Sequence, residues 1–221
     1  MSPAPTVSVE TRTMLLLEGN IGAGKTSLGK HLQASGRFHF LEEPVDRWRH
    51  GFASNIFELF YHDMQRWSFT FQIMAFVTRA KTWSEILAQI QAERVILERS
   101  IYSDRHVFAR NLYETGAMTD AEWELYTQLW DFLALNYAEE PDRIIYLRTP
   151  AAECRERIRS RGRSEEQDIP LDYLMRLEEL HDAWLLDHPR AIVLDGTRRW
   201  STEDLDEALT RSMQTVTSQV Q

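Results

Sequence analysis

The chain has 221 residues, enough for one α/β domain with a sizeable core, and its 43% hydrophobic and 27% charged content is ordinary for a globular protein. Its net charge of −9 argues against sequence-independent binding to nucleic acid or to an anionic membrane surface. No apolar run approaches the roughly 18–20 residues that span a bilayer, and the single Cys154 excludes an internal disulfide.

Residues 1–12 have no hydrophobic stretch for export and read as a flexible N-terminus; residues 13–218 read as one domain. A lone cysteine fits a reducing compartment, so the expected location is the cytoplasm. The first strand is expected over 13–18, with the apolar run Met14-Leu15-Leu16-Leu17. A glycine-rich turn follows and leads into a helical pattern over 27–33. A short strand over 38–42 ends at Glu43-Pro44. Helices are expected over 55–62 and 67–91, the second apolar on most sides and therefore mostly buried. A buried strand covers 94–98, and helices follow over 102–114 and 119–138. Thr119-Asp120-Ala121-Glu122 has the form of a capping box. The fourth strand covers 143–147. Pro150 opens a helix rich in arginine, and Pro170 opens another that runs to 186. The fifth strand covers 191–194, and Ser201 or Thr202 caps a last helix. Strands alternating with helices give an α/β fold, a doubly wound five-stranded parallel sheet covered on both faces. Ligands of such sheets sit outside the carboxyl ends of the strands, where each chemistry-bearing motif lies.

Gly19-Asn20-Ile21-Gly22-Ala23-Gly24-Lys25-Thr26, followed by Ser27, is the Gly-x4-Gly-Lys-Ser/Thr phosphate loop between a strand and a helix. Its glycines let backbone N–H groups turn around phosphate oxygens. Lys25 can reach the β- and γ-phosphates, and the Thr26 hydroxyl can ligate Mg²⁺. The loop therefore implies a nucleoside triphosphate.

Other strand ends supply further groups. Glu43 in Glu43-Pro44-Val45-Asp46-Arg47-Trp48 can accept a proton, although from the residues alone the segment reads first as a strand-ending turn. In Glu98-Arg99-Ser100 the acid can hold Mg²⁺ and the arginine can stabilise a transferred phosphoryl group. Lysine occurs only at 25, 30 and 81, whereas Arg155, Arg157, Arg159, Arg161 and Arg163 crowd one segment ending in Glu165-Glu166. Arg157 and Arg161, four apart on one helix face, would repel unless an anion lay between them, which suggests an arginine-bearing lid. Gln72, Ala75 and Arg79 share a face of the long helix, and a buried glutamine can pair with a nucleobase edge. Phe57, Phe60, Phe71, Phe76 and Phe108 read as core before they read as stacking platforms.

Together these motifs resemble the deoxyribonucleoside kinases, and the resemblance runs from Leu15 to about Leu194. Beyond the phosphate loop it rests on Glu43-Pro44-Val45-x-x-Trp48, Arg66-Trp67-Ser68-Phe69-Thr70-Phe71-Gln72, Glu98-Arg99-Ser100-Ile101-Tyr102-Ser103-Asp104-Arg105, Ile144-Ile145-Tyr146-Leu147 and Arg161-Gly162-Arg163-Ser164-Glu165-Glu166-Gln167. It implies a P-loop kinase fold, ATP and Mg²⁺ as cofactors, a small-molecule deoxyribonucleoside as acceptor, and a homodimer. It implies Glu43 as base for the sugar 5′-hydroxyl and Arg99 as the group orienting it. It implies Gln72 as base reader, Tyr61 and Glu166 at the 3′-hydroxyl, and Trp48, Phe57 and Phe108 as pocket walls. Arg157 and Arg161 match lid arginines, and Thr26 and Glu98 match the metal positions. Arg79 and Asp104 resemble the deoxycytidine and deoxyguanosine branches. In thymidine-accepting relatives the first position is apolar and the second small.

Two segments differ from the pattern. The stretch between Trp48 and Asn55 is short, as in the insect multisubstrate enzyme, and Gly196 to Trp200 replaces the usual acidic-aromatic loop near the donor base. Trp200 is a candidate to stack on adenine. A thymidine-preferring or broad kinase is the alternative. A nucleoside monophosphate kinase fits less well, since Glu42 beside Glu43 would repel a phosphorylated acceptor. A GTPase switch needs an Asn-Lys-x-Asp clamp, and no lysine here follows an asparagine.

Overall fold

A computed structural model of the protein describes residues 12–217 other than 88, 91, 138 and 139. The expected flexible N-terminus, apart from residue 12, and the helix ends drawn to 91 and 138 lie outside the described residues. Five strands, β1 (Thr13–Glu18), β2 (His39–Leu41), β3 (Arg94–Glu98), β4 (Arg143–Arg148) and β5 (Ala191–Asp195), form one parallel sheet in the order β2-β3-β1-β4-β5. The strand carrying the phosphate loop is thus central, paired with β3 and with β4.

The strands are short and apolar because both faces are covered. Leu15, Leu17, Ile96, Ile145 and Leu147 pack on one side with Leu28 and Leu32 of α1 (Lys25–Ala34) and Leu205 and Leu209 of α10 (Thr202–Thr217). Met14, Leu16, Val95, Leu97 and Tyr146 pack on the other with Phe76, Ala80 and Trp83 of α4 (Met64–Leu87), Trp130 of α7 (Asp120–Tyr137) and Leu185 of α9 (Leu171–Leu185). A third cluster sits under the phosphate loop, where Cys154 and Ile158 of α8 (Ala151–Arg161) meet Ile21, Ala23 and Leu174.

The element boundaries follow local hydrogen bonds. Thr119 and Glu122 form the expected capping box before α7, each backbone N–H bonded to the other's side chain (2.8 and 3.3 Å). Ser201 and Asp204 do the same before α10 (3.1 Å each). The helix expected from 67 starts at Met64 instead, because the Asp63 carboxylate accepts from the Arg66 N–H (3.1 Å) and opens the helix a turn earlier. A helix absent from the sequence reading, α2 (Val45–His50), follows Pro44, and Gly51 closes it by donating to Arg47 O (2.8 Å). The helix α3 (Ile56–His62) is capped by Asn55, whose carbonyl oxygen accepts from Glu58 N–H (3.1 Å). The helix expected over 102–114 is composite: α5 (Ile101–Ser103), a π-helical stretch (Asp104–Ala109) and α6 (Arg110–Glu114). Among the described residues no helix is long and apolar enough to cross a membrane.

One residue of the central strand breaks its apolar pattern. Glu18 shares the face of Met14 and Leu16, is wholly buried, and neither carboxyl oxygen has a hydrogen-bond partner. Burial pushes its pKa up to about 7, against the pull of Ser100, Arg99, Ser103 and Arg79. In the unfolded chain the same carboxyl titrates near the ordinary value of about 4.3. Between these values the folded state holds a proton that the unfolded state has lost, so this contribution to stability is complete at low pH and fades as pH rises through 7. Glu18→Gln removes the fading term. Relative to wild type, it should gain about 2–3 kcal/mol of unfolding free energy between pH 5 and pH 8 in urea titrations. A pH-independent difference would show that Glu18 titrates normally.

Candidate active site

The phosphate loop leaves β1 and enters α1 through backbone that only glycine adopts easily. Gly22 has φ +78° and Gly24 has φ +98°. A Cβ on Gly22 would lie 2.4 Å from the Cys154 carbonyl oxygen, so the loop sits tightly against α8. Asn20 does not offer its side chain to a ligand. Its amide donates to Leu174 O and its carbonyl accepts from Ile21 N–H (2.8 Å each), tying the loop to α9. Lys25 is buried, with its ammonium donating to Asn20 O (2.8 Å) and Gly19 O (3.1 Å). Burial and Arg99 push its pKa down to about 8, still mostly charged at neutral pH. Thr26 Oγ1 donates to both oxygens of Glu98 (2.7 and 3.0 Å). A hydroxyl and a carboxylate in contact are hard oxygen donors of the kind Mg²⁺ accepts beside water and phosphate. Among the described residues no group of three or more His, Cys, Asp or Glu could hold a metal ion.

Beside the loop opens a cavity of about 370 Å³. Glu43, Trp48, Phe57, Tyr61, Gln72, Arg79, Glu98, Arg99, Asp104, Phe108, Arg161 and Glu166 all line it, together with Ile21, Gly22, Lys25 and Thr26. These residues come from strand ends, α2, α3, α4, the π-helical stretch and the α8–α9 connection. The sequence reading therefore nominated groups that converge.

A chain of ion pairs runs through the cavity. Arg79 donates to Asp104 Oδ1 and, through its other terminal nitrogen, to Glu43 Oε1 (2.5 Å). Arg99 donates to Glu43 Oε2 (3.2 Å) and to Gly19 O (3.1 Å). Burial alone would raise the Glu43 pKa, but Arg99, Arg79 and Lys25 outweigh it and hold the carboxyl below its usual value. Burial works against the Arg79 charge as well, and Asp104 and Glu43 more than offset it. Arg99 takes φ +62°, a left-handed backbone that strains a side-chain-bearing residue. Its N–H still reaches Leu17 O (3.0 Å), and its guanidinium lies 4.5 Å from the Phe108 ring centroid. Two buried acceptors on residues that line the cavity have no partner: Gln72 Oε1 and Asp104 Oδ2. Trp48, Phe57 and Phe71 pack ring against ring in the cavity wall, and the Trp48 N–H is fixed on Thr78 Oγ1 (2.9 Å). Glu166 also lines the cavity and is buried, paired with Arg161 and with Arg163 (3.5 Å).

A second cavity of about 760 Å³ lies on the other side of the loop, lined by Ala23, Gly24, Ser27, His31, Arg157 and the 196–201 turn. Arg157 donates to Ala23 O (2.9 Å) and Gly196 O (3.0 Å), bridging the phosphate loop to the turn after β5. Arg157 and Arg161, expected to face one anion, thus line different cavities. Trp200 donates its indole N–H to Asp195 O (2.7 Å), and the Arg198 guanidinium lies 4.0 Å from its ring centroid.

Several cavity residues escaped the sequence reading. Tyr173 of α9 and Val45 of α2 line the first cavity. Arg163 was visible only as one more member of the arginine run. Nothing in a linear sequence marks the left-handed Arg99. A π-helical stretch at Asp104 gives no periodic signal either.

Similarity to known proteins points the same way as the geometry. Residues 15–220 match the model of the deoxynucleoside kinase family. A probable deoxycytidine kinase of fowlpox virus is 37% identical over 177 residues, covering 80% of this chain and 73% of the relative. Mouse deoxycytidine kinase is 38% identical over 208 residues, covering 83% and 80%. Human mitochondrial thymidine kinase 2 is 34% identical over 177 residues, covering 80% and 66%. With a phosphate loop, a five-stranded parallel sheet and this extent of match, the chain belongs to the deoxynucleoside kinase family and phosphorylates deoxyribonucleosides with ATP.

Proposed function

We propose that this enzyme transfers the γ-phosphoryl of ATP to the 5′-hydroxyl of a deoxyribonucleoside whose base carries an exocyclic amino group, deoxycytidine or a purine deoxyribonucleoside in preference to thymidine. One observation carries the base preference: the cavity-lining residues Gln72 and Asp104 each hold a buried, unpartnered acceptor, Oε1 and Oδ2. An acceptor left unmet costs about 1–3 kcal/mol, and an exocyclic amino group supplies the missing donor. Thymine has none, and its 5-methyl group would be directed at Arg79. The similarity to deoxycytidine kinases supports the same preference. Thymidine use is the second reading, favoured by the similarity to a thymidine kinase.

In this reading the sugar 5′-hydroxyl faces Glu43. That carboxylate stays ionised beside Arg79 and Arg99 and accepts the hydroxyl proton as the oxygen attacks. Arg99 orients Glu43 and meets charge on the transferred group. Lys25 and Arg161 add donors around the phosphates, and Arg157 acts from the ATP side. Tyr61 and Glu166 hold the 3′-hydroxyl, while Trp48, Phe57 and Phe108 enclose base and sugar. The segment from Arg155 to Glu166 acts as a lid. Thr26 and Glu98 would hold Mg²⁺, which when bound neutralises phosphate charge. The exposed Leu125, Phe132 and Leu135 of α7 and Val77 of α4 form an apolar face that suits a homodimer. The buried, lone Cys154 suits a reducing compartment, and we assign the enzyme to the cytoplasm.

Glu43→Gln should keep nucleoside binding and lose about 10²–10⁴-fold in kcat, the usual contribution of a general base; steady-state kinetics with ATP and Mg²⁺ test this, and near-normal turnover removes Glu43 from the chemistry. The base preference is tested by kcat/KM for the four deoxyribonucleosides. The wild type should prefer an amino-bearing base to thymidine by about ten- to a hundredfold. The Arg79→Met, Asp104→Ala double variant should gain thymidine activity and lose deoxycytidine activity, with each single change doing less because the two side chains form one unit. A wild type that prefers thymidine overturns this reading.

A further inference from the structure

The short turn Ser164–Glu166 carries two adjacent carboxylates that face opposite ways. Glu166 turns into the cavity to Arg161 and Arg163. Glu165 turns outward, yet its side chain is only 3% exposed. Its Oε1 accepts from Arg49 Nε of α2 (2.7 Å) and from Asn55 Nδ2 (3.1 Å), and its Oε2 accepts from Ser164 Oγ (3.1 Å). Burial alone would raise its pKa; hydrogen bonds from its own backbone N–H, Arg49, Asn55 and Ser164 hold it at about 2 instead. Glu165 is therefore ionised throughout the working range and bound to both helices.

Asn55 joins this contact to the acceptor pocket. Its carbonyl oxygen caps α3 while its amide holds Glu165, so the same side chain serves both. The helix α3 supplies Phe57 and Tyr61 to the cavity, and α2 supplies Trp48 and Val45. Among the described residues, the hydrogen bonds and ion pair of Glu165 go to Arg49, Asn55 and Ser164 and not to the phosphate loop or the second cavity.

We propose that Arg49, Glu165 and Asn55 form a latch that fastens the lid to the nucleoside half of the site, and that these three are positioning residues for Glu166. The inference rests on the lid reading given above. The segment between Trp48 and Asn55 is short, which brings Arg49 and the α3 cap within reach of one carboxylate. Opening the latch frees the bound nucleoside, while ATP on the far side of the phosphate loop does not depend on it.

The test uses the full-length enzyme and four forms: wild type, Arg49→Ala, Glu165→Gln and the double variant. Wild type is first titrated calorimetrically with deoxycytidine and with thymidine, and the tighter ligand serves as probe. That step judges the base preference alone and leaves the latch to be judged by the variants. Each single variant should weaken nucleoside binding about three- to tenfold, the scale of one partly screened ion pair with its hydrogen bonds. The increase should appear in the dissociation rate by stopped-flow, with ATP affinity changed less than about twofold. The double variant should match either single variant, because a broken latch cannot be broken again. Additive losses, or equal weakening of ATP, overturn the latch. Glu165→Gln keeps side-chain shape, and its thermal midpoint separates a loosened lid from a misfolded chain.

Discussion

The active site depends on a continuous run of charge from Asp104 through Arg79, Glu43 and Arg99 to the Gly19 carbonyl. Every member is buried or nearly so. Burying ions costs several kcal/mol each unless partners replace water, and here each guanidinium meets two acceptors. Such a run is poor material for stability, since a well-packed apolar core would serve as well or better. Its value lies in geometry. It runs from Asp104 to the phosphate loop, so in the proposed function the fit of a base and the orientation of Glu43 are set by the same arginine. Moving Arg79 shifts Glu43 and Asp104 together.

The fold makes this run possible by placing three strand ends side by side. β1 delivers the phosphate loop, β2 delivers Glu43, and β3 delivers Glu98 and Arg99. Alternation along β3 sends Ile96 toward α1, and Glu98 continues on that face to reach Thr26. Arg99 follows at once and must point into the cavity although the strand has just ended. Its left-handed backbone achieves the turn, at a strain of about 1–3 kcal/mol. Ser100 then opens α5 with a reciprocal cap to Ser103, so the strained residue is clamped between a strand and a capped helix.

What the sequence made legible was what is local. The phosphate loop, the capping box at Thr119, the cap of the last helix at Ser201 or Thr202, and the apolar strands each depend on neighbours within a few residues. Gln72, Ala75 and Arg79 could be set on one face because helical spacing is regular, and all three line the cavity. The illegible parts depend on distant partners. The helix α2 was hidden because a six-residue element after proline has no periodic signature. The placement of Arg157 was missed because its acceptors, Ala23 O and Gly196 O, are far away in sequence. Glu18 ends an apolar strand, and nothing beside it in sequence marks it as buried. Only the packing of Ser100, Ser103 and the two arginines around β1 makes it a buried acid.

Charge balance explains how a chain of net charge −9 can bind a polyanion. Attraction at long range is absent, so binding depends on cations concentrated at one place. Lys25 and Arg99 are already desolvated, and each now donates to neutral carbonyl oxygens of the phosphate loop. A phosphate oxygen is a charged acceptor and makes a hydrogen bond roughly twice as strong as a neutral one. In the proposed function Lys25 would therefore exchange neutral partners for charged ones without a further desolvation cost, which the fold has already met. Glu43 and Glu98 keep that positive cluster from being over-charged before substrates arrive. The Lys25 pKa of about 8 is the outcome of this balance: low enough to register burial and the crowding by Arg99, high enough to keep the ammonium mostly charged at neutral pH.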